Sequence, residues 1–331
     1  MTNEPSQYFD SSGRNDVLSG GVRMIPITTT CGEFRVWTKR VGNSPTTKVL
    51  LLHGGPGATH EYLEACDSYL PGAGVEYYYY DQLGSAYSDD PGDPSLLEID
   101  RFVDEVEQVR VALDLGPDNF YLLGHSWGGL LAIEYALAHQ RQLKGIVISN
   151  MMSSIPSYNR YADTVLKPAM DQGALAEIER LEASGETDDP RYVELLLRHH
   201  YVEHVLRIPF EEWPEPVRRS FEHTNGAVYV PMQGPSELGA SGKLADWDRT
   251  EELGEINVPA LVIGARHDTM DPAFLAAMAA RLPRGTYVEC PNGSHLAMYD
   301  DQAAYFAGLL AFLAGPHAAP STIDSRATTP R

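Results

Sequence analysis

Short, mostly apolar runs alternate with amphipathic stretches through the first half of the chain. Lys48 to His53 (Lys-Val-Leu-Leu-Leu-His), Val75 to Tyr80, Phe120 to Leu123 and Leu143 to Ser149 lack the polar alternation of a half-exposed strand. They read as strands covered on both faces. Between them, Ile99, Phe102, Val103, Val106, Val109 and Leu113 recur at helical spacing, and Leu130 to His139 continues the helical pattern. Strands that alternate with helices imply crossovers and a mostly parallel sheet. Ahead of this unit, Val22 to Thr28 and Glu33 to Arg40 flank Thr29-Thr30-Cys31-Gly32, the signature of an antiparallel hairpin. Four consecutive tyrosines, Tyr77 to Tyr80, fit a packed strand, because aromatic side chains favour extended backbone.

From Met151 to about Leu238 the strand pattern fades. Helical stretches around Ala162 to Ala183, Tyr192 to Val205 and Pro216 to Glu222 are separated by Gly and Pro. The sheet pattern resumes at Ala260-Leu261-Val262-Ile263-Gly264. A helix over Pro272 to Leu282, a strand over Thr286 to Glu289 and a last helix over Asp300 to Leu313 follow. The pattern predicts an α/β core formed by residues 1–150 and 239–331, with an all-helical cap at 151–238 inserted over one edge of the sheet. Residues 1–16 and 315–331 read as disordered ends.

Composition narrows the class. With 331 residues, 43% of them hydrophobic and 21% charged, the chain can bury a full core. A formal charge of −21 repels polyphosphate, which argues against nucleic acid and anionic membranes as partners. The cap carries about its share of that charge, so no specially acidic funnel is expected there. Cys31, Cys66 and Cys290 are odd in number and widely spaced, so reduced, buried thiols are expected rather than a disulfide framework. No stretch reaches the ~18 apolar residues of a membrane span, and the N-terminus lacks an apolar signal region. A cytoplasmic protein is expected.

The chemistry concentrates where predicted strands end. Phe120 to Leu123 runs into Gly124-His125-Ser126-Trp127-Gly128-Gly129 and then into a helix. This G-x-S-x-G between strand and helix resembles the nucleophile elbow of α/β-hydrolases. Small residues around a sharp turn let strand and helix approach, and they present the serine hydroxyl at a helix N-terminus. A serine hydroxyl needs a base, and the base needs an orienting carboxylate. Ser126, Asp268 and His295 occur in the hydrolase order Ser, Asp, His, each in a turn after a predicted strand. The Gly54-Gly55-Pro56-Gly57 turn after the Lys48 strand is where that fold carries its second oxyanion donor. Backbone N–H groups of Gly55 and Trp127 are the expected pair.

Other candidates are weaker. His53, His125 and His267 precede the position where the base is expected, and read as structural or pocket-lining. His199, His200, His204 and His223 fall in the cap. His200 and His204 have metal-binding spacing, but no supporting carboxylate pattern accompanies them, and all four read as solvated helix residues. Asp271 precedes Pro272 and suits a helix N-cap better than a triad acid. No metal or cofactor is expected. A dehalogenase or epoxide hydrolase would need Asp in place of Ser126.

The whole set of motifs resembles the proline iminopeptidase (prolyl aminopeptidase) family, with its related amino-acid amide hydrolases. It comprises His53-Gly54-Gly55-Pro56-Gly57, Asp81-Gln82-x-Gly84-Ser85, the elbow, Gly234-Pro235-Ser236-Glu237, Asp246-Trp247-Asp248 and Gly293-Ser294-His295. The resemblance implies cleavage of an N-terminal residue, preferably proline, from small peptides or amides. It also implies that Glu237 binds the substrate α-amine, a charge-assisted contact. The chain departs from the family in carrying Thr269, where members often have a second amine-binding Glu, and Leu83 and Ala86 where many have Arg and Gly. An esterase or lactonase acting on uncharged acyl groups, or a ligand-binding protein with a hydrolase shell, are the alternative readings. Oligomeric state is not legible.

Overall fold

A computed structural model describes residues 17–19 and 21–315. The expected disordered segments 1–16 and 316–331 lie outside the described residues. Nine described strands form one sheet: β1 (Val17–Ser19), β2 (Val22–Thr29), β3 (Gly32–Val41), β4 (Lys48–Leu52), β5 (Glu76–Asp81), β6 (Phe120–His125), β7 (Gly145–Ser149), β8 (Ala260–Ala265) and β9 (Gly285–Cys290). Their spatial order is β1-β2-β3-β5-β4-β6-β7-β8-β9. Pairing is antiparallel from β1 through β3 to β5 and parallel from β5 to β9, so the expected hairpin and parallel sheet are both present. β1 carried no recognisable pattern in the sequence.

The unbroken apolar runs follow from burial on both faces. Successive strand residues point to opposite sides. Leu50, Leu52, Tyr78, Tyr80, Leu122, Ile146 and Ile148 join one core. Val49, Leu51, Tyr77, Tyr79, Tyr121, Leu123 and Val147 join the other. The four tyrosines therefore divide two and two. Their hydroxyls are not left bare: Tyr77 and Tyr79 donate to Asp67, Tyr78 to Glu76 and Tyr80 to Glu105. The first core is closed by α1 (Ile99–Ala112), through Phe102, Val103, Val106 and Val109, and by α2 (Trp127–His139). The helix Gln302–Ala314 closes the second through Tyr305, Phe306 and Leu309.

Between β7 and β8 the elements are helical. Four of these helices begin at side-chain caps: Ser154 accepts from Ser157 N–H, Asp171 from Ala174, Asp189 from Arg191 and Asn225 from Ala227. The stretch expected as one helix from Ala162 to Ala183 is divided. Met170 leaves helical geometry with ψ 163°, and Asp171 starts a new helix, Gln172–Ser184, which ends at left-handed Gly185. The segment Leu197–Tyr201 winds in the wider i→i+5 pattern, and a further helix, Gly226–Met232, was missed in the sequence because Pro231 lies inside it. The Asp246-Trp247-Asp248 motif pins the base of the insertion: Asp248 bridges to Ser154, whose hydroxyl it accepts at 2.7 Å.

Two further expectations require correction. Cys66 and Cys290 are buried thiols, but Cys31 is exposed because the hairpin turn carries it away from the sheet. His200 is not solvated, since the wide turn rotates it fully inside. Its Nε2 donates to the Glu237 carbonyl at 3.2 Å, and burial, reinforced by nearby His204, pushes its imidazole down to about 4. No helix among the described residues is long and apolar enough to cross a membrane.

Candidate active site

Parallel strands bring the chemistry to one edge. β4, β6, β7, β8 and β9 run the same way, so the residues just past their ends share the rim where open α/β sheets bind ligands. Gly54 follows β4, Ser126 follows β6, Asn150 follows β7, Asp268 follows β8 and His295 follows β9.

The elbow is sterically specified. Ser126 adopts φ 55° and ψ −127°, a strained conformation for a residue with a side chain. A Cβ on Gly124 would stand 1.8 Å from the Gly128 carbonyl oxygen, and one on Gly128 would stand 2.1 Å from that of Leu52. Only hydrogen fits at either position. The turn Gly54-Gly55-Pro56-Gly57 is equally tight: Gly55 has φ +108°, and a Cβ there would meet the Ala58 nitrogen at 2.6 Å. Gly54 approaches the serine directly, its hypothetical Cβ lying 3.1 Å from Ser126 Cβ.

Asp268 and His295 form a buried pair. His295 Nδ1 donates to Asp268 Oδ1 at 2.8 Å, with Asp268 fully buried and His295 nearly so. The carboxylate also accepts from Met270 N–H at 3.2 Å and from Asn150 Nδ2 at 2.7 Å. Thr269, where the family often has Glu, is fully buried against the pair, its hydroxyl 3.3 Å from both Asp268 Oδ1 and His295 Nδ1. Burial disfavours a charged imidazole and is the largest influence on His295. The Asp268 charge and hydrogen bond, followed by Glu237 and Asp300, outweigh it and raise the ring above its ordinary value.

Ser126 and His295 line one cavity of about 340 Å³, together with Gly54, Gly55, Tyr62 and Glu237. Among the described residues the Ser126 hydroxyl forms no hydrogen bond. Such contacts commonly close only when substrate is bound. Trp127 opens α2, so its N–H has no partner within the helix. Its indole donates to Gln82 Oε1 at 2.8 Å, and Gln82 in turn bonds His53 through its main-chain and side-chain amides. His53 Nδ1 meets the Gly54 carbonyl at 2.8 Å, which fixes the plane of the Gly54–Gly55 peptide. His53 thus braces the turn, His125 lines the cavity, and Asp271 caps the helix Pro272–Arg281 by accepting from Ala273 N–H. His267 lies beside the pair and contributes its carbonyl to His204 at 3.0 Å.

The helical insertion is part of the site. His295 and Leu296 donate their N–H groups to the carbonyls of His204 and Val205 at 2.9 and 2.8 Å, and Asn225 donates to Gly57 at 2.8 Å. Glu237, half-buried, is held by Tyr229, whose hydroxyl donates to Oε1 at 2.6 Å, and by Tyr158, which donates to its carbonyl at 2.7 Å. Among the described residues it is the one carboxylate lining the cavity. Much of the remaining wall is apolar or aromatic, including Tyr192, Leu196, Val205, Phe221 and Leu296. No group of three or more His, Cys, Asp or Glu among the described residues is arranged to hold a metal ion. Sequence reasoning missed Tyr62 and Asn150 and quoted Gln82 without a role; none carries a local signal, since each acts through a distant partner.

Residues 47–302 match the alpha/beta hydrolase fold family. The chain is 54% identical over 290 residues to a proline iminopeptidase of Flavobacterium johnsoniae, covering 88% of this chain and 97% of that protein. Among solved structures it is similar to VinJ, with a TM-score of 0.80 and 29% identity over 91% of this chain and 98% of VinJ. It is also similar to the proline iminopeptidase of Mycobacterium smegmatis, with a TM-score of 0.76 and 27% identity over 87% and 97% of the two chains. The chain belongs to the proline iminopeptidase family of α/β hydrolases.

Proposed function

We propose that the protein is a serine hydrolase that releases an N-terminal residue, proline foremost, from small peptides or amino-acid amides. The observation that carries this reading is the buried Asp268–His295 pair opening onto one cavity with Ser126 and Glu237. The names of its relatives supply the substrate preference. Ser126 Oγ attacks the carbonyl carbon while His295 Nε2 takes its proton. Asp268, accepting from Nδ1, holds the ring in the required tautomer. The N–H groups of Gly55 and Trp127 receive the oxyanion, and loss of one such donor typically costs about 10²- to 10³-fold in rate. The C–N bond breaks as His295 protonates the leaving amine. Water, deprotonated by His295, then releases the acyl group and restores Ser126.

Glu237 is the group that selects a protonated substrate amine. Tyr229 occupies one of its oxygens, and the other is available for an N–H. We place the enzyme in the cytoplasm, a reading supported by its free thiols. The test compares prolyl-, alanyl- and N-blocked prolyl-arylamides with a simple arylester. Free prolyl substrates should turn over fastest, and Ser126→Ala should abolish their cleavage. Equal turnover of blocked and free amines would replace this reading with that of an esterase on uncharged acyl groups.

A further inference from the structure

Tyr62 belongs to neither the elbow nor the Asp–His pair, yet its hydroxyl stands between them and the oxyanion turn. Gly54 N–H donates to Tyr62 Oη at 2.7 Å, and Tyr62 Oη lies 2.9 Å from His125 Nδ1. On the far side of the same ring, His125 Nε2 lies 2.8 Å from the main-chain carbonyl of His295. The protons along this line can be assigned. A carbonyl only accepts, so His125 Nε2 carries a hydrogen. Burial, with the neighbouring His295 ring, pushes His125 well below the usual histidine range, so it is neutral and Nδ1 is an acceptor. The Tyr62 hydroxyl must therefore donate to His125 while accepting from Gly54.

Each atom in the line is committed in one direction. We propose that Tyr62 and His125 are positioning residues that tie the loop carrying Gly55 and the loop carrying His295 to the elbow carrying Ser126. The inference rests on the serine-hydrolase reading above. Its physical content is that one hydrogen-bonded line of side chains, passing through the elbow, reaches both the loop carrying Gly55 and the loop carrying His295. His125, the elbow's member of the tie, sits at the first variable position of G-x-S-x-G. His125 is 2% exposed and Tyr62 5%, so water does not compete for these bonds. Tyr62 also lines the cavity, and Tyr62→Phe would keep the ring and the wall while removing only the hydroxyl.

The test measures the rate at which a fluorophosphonate labels Ser126, a reaction that uses both the nucleophile and the oxyanion donors. It is run beside kcat and KM for a prolyl-arylamide. Tyr62→Phe and His125→Leu should each slow labelling and lower kcat by about tenfold to a hundredfold, as expected for misplaced catalytic groups, with KM changed less than about threefold. The double variant should be no slower than the slower single one, because both break the same line. His125→Gln, whose amide can still donate toward the His295 carbonyl, should recover part of the rate, and it keeps the test alive if the Leu variant does not fold. Labelling within twofold of wild type in folded Tyr62→Phe, or multiplying losses in the double variant, would overturn the inference. Failure of the wild-type chain to label at Ser126 would instead remove the serine-hydrolase reading, and this inference with it.

Discussion

The side-chain amide of Asn150 donates to Asp268 Oδ2 at 2.7 Å, and the same nitrogen lies 3.3 Å from the carbonyl of Ser294. One residue at the end of β7 thus braces both Asp268 and the loop that carries His295. Asn150 sits at φ 53°, a left-handed conformation that asparagine tolerates better than most residues. Its Oδ1 accepts from Ser149 Oγ at 2.8 Å.

Replacing Asn150 with Ala should cost about 1–3 kcal/mol from the unpaired carboxylate oxygen, plus about 1 kcal/mol from forcing Ala into left-handed backbone. Asn150→Gly also removes the amide but is unstrained at φ 53°, and should be the more stable of the two. Urea unfolding distinguishes them. Both should show the same loss of kcat, and an unchanged kcat in either would detach Asn150 from the site.

Asp268→Asn should lower kcat by about 10⁴-fold, because an amide facing His295 Nδ1 stabilises the wrong tautomer. Binding of substrate should change little. Steady-state kinetics on a prolyl-arylamide read both quantities.

The pH dependence has a defined sign. As the proposed base, His295 can take a proton only when neutral, and its pKa is raised above the ordinary 6.5, so activity should fall on the acid side with a midpoint above that value. Glu237 contributes to the elevation through its charge. Glu237→Gln should therefore move the acid limb to lower pH. An uncharged arylester is the right substrate for this profile, since it does not depend on Glu237 for binding. With free-amine substrates the same variant should mainly raise KM.

Thiol reactivity should separate the cysteines. Cys31 is exposed, whereas burial pushes Cys66 and Cys290 up to about 12. A disulfide reagent should titrate one thiol in the native chain and three after unfolding. Rapid reaction of more than one native thiol would contradict this packing.

Much of the frame was legible because its causes are local. Leu50, Leu122 and Ile146 lie in runs apolar on both faces, and a strand covered on both sides leaves that mark whatever surrounds it. Gly124 and Gly128 announced the elbow because no side chain fits against the carbonyls they approach. The insertion was harder to read. A chain turn at Met170 and a wide helical turn at Leu197–Tyr201 depend on what lies beneath them, so the segmentation of its helices and the burial of His200 escaped notice.

By itself the sequence determined the alternation of strands and helices, the Ser, Asp, His order and the glycines that make the elbow possible, since periodicity and steric exclusion are properties of neighbours along the chain. Only the tertiary structure decided that Thr269 packs against Asp268 and His295, that Asn150 bonds Asp268 and Tyr62 bonds Gly54, and that Tyr229 takes one oxygen of Glu237. Those relationships join residues from 8 to 118 positions apart. Hydrogen bonds of 3 Å between such groups are settled by how loops from different strands meet in space, and nothing in the local pattern records that meeting.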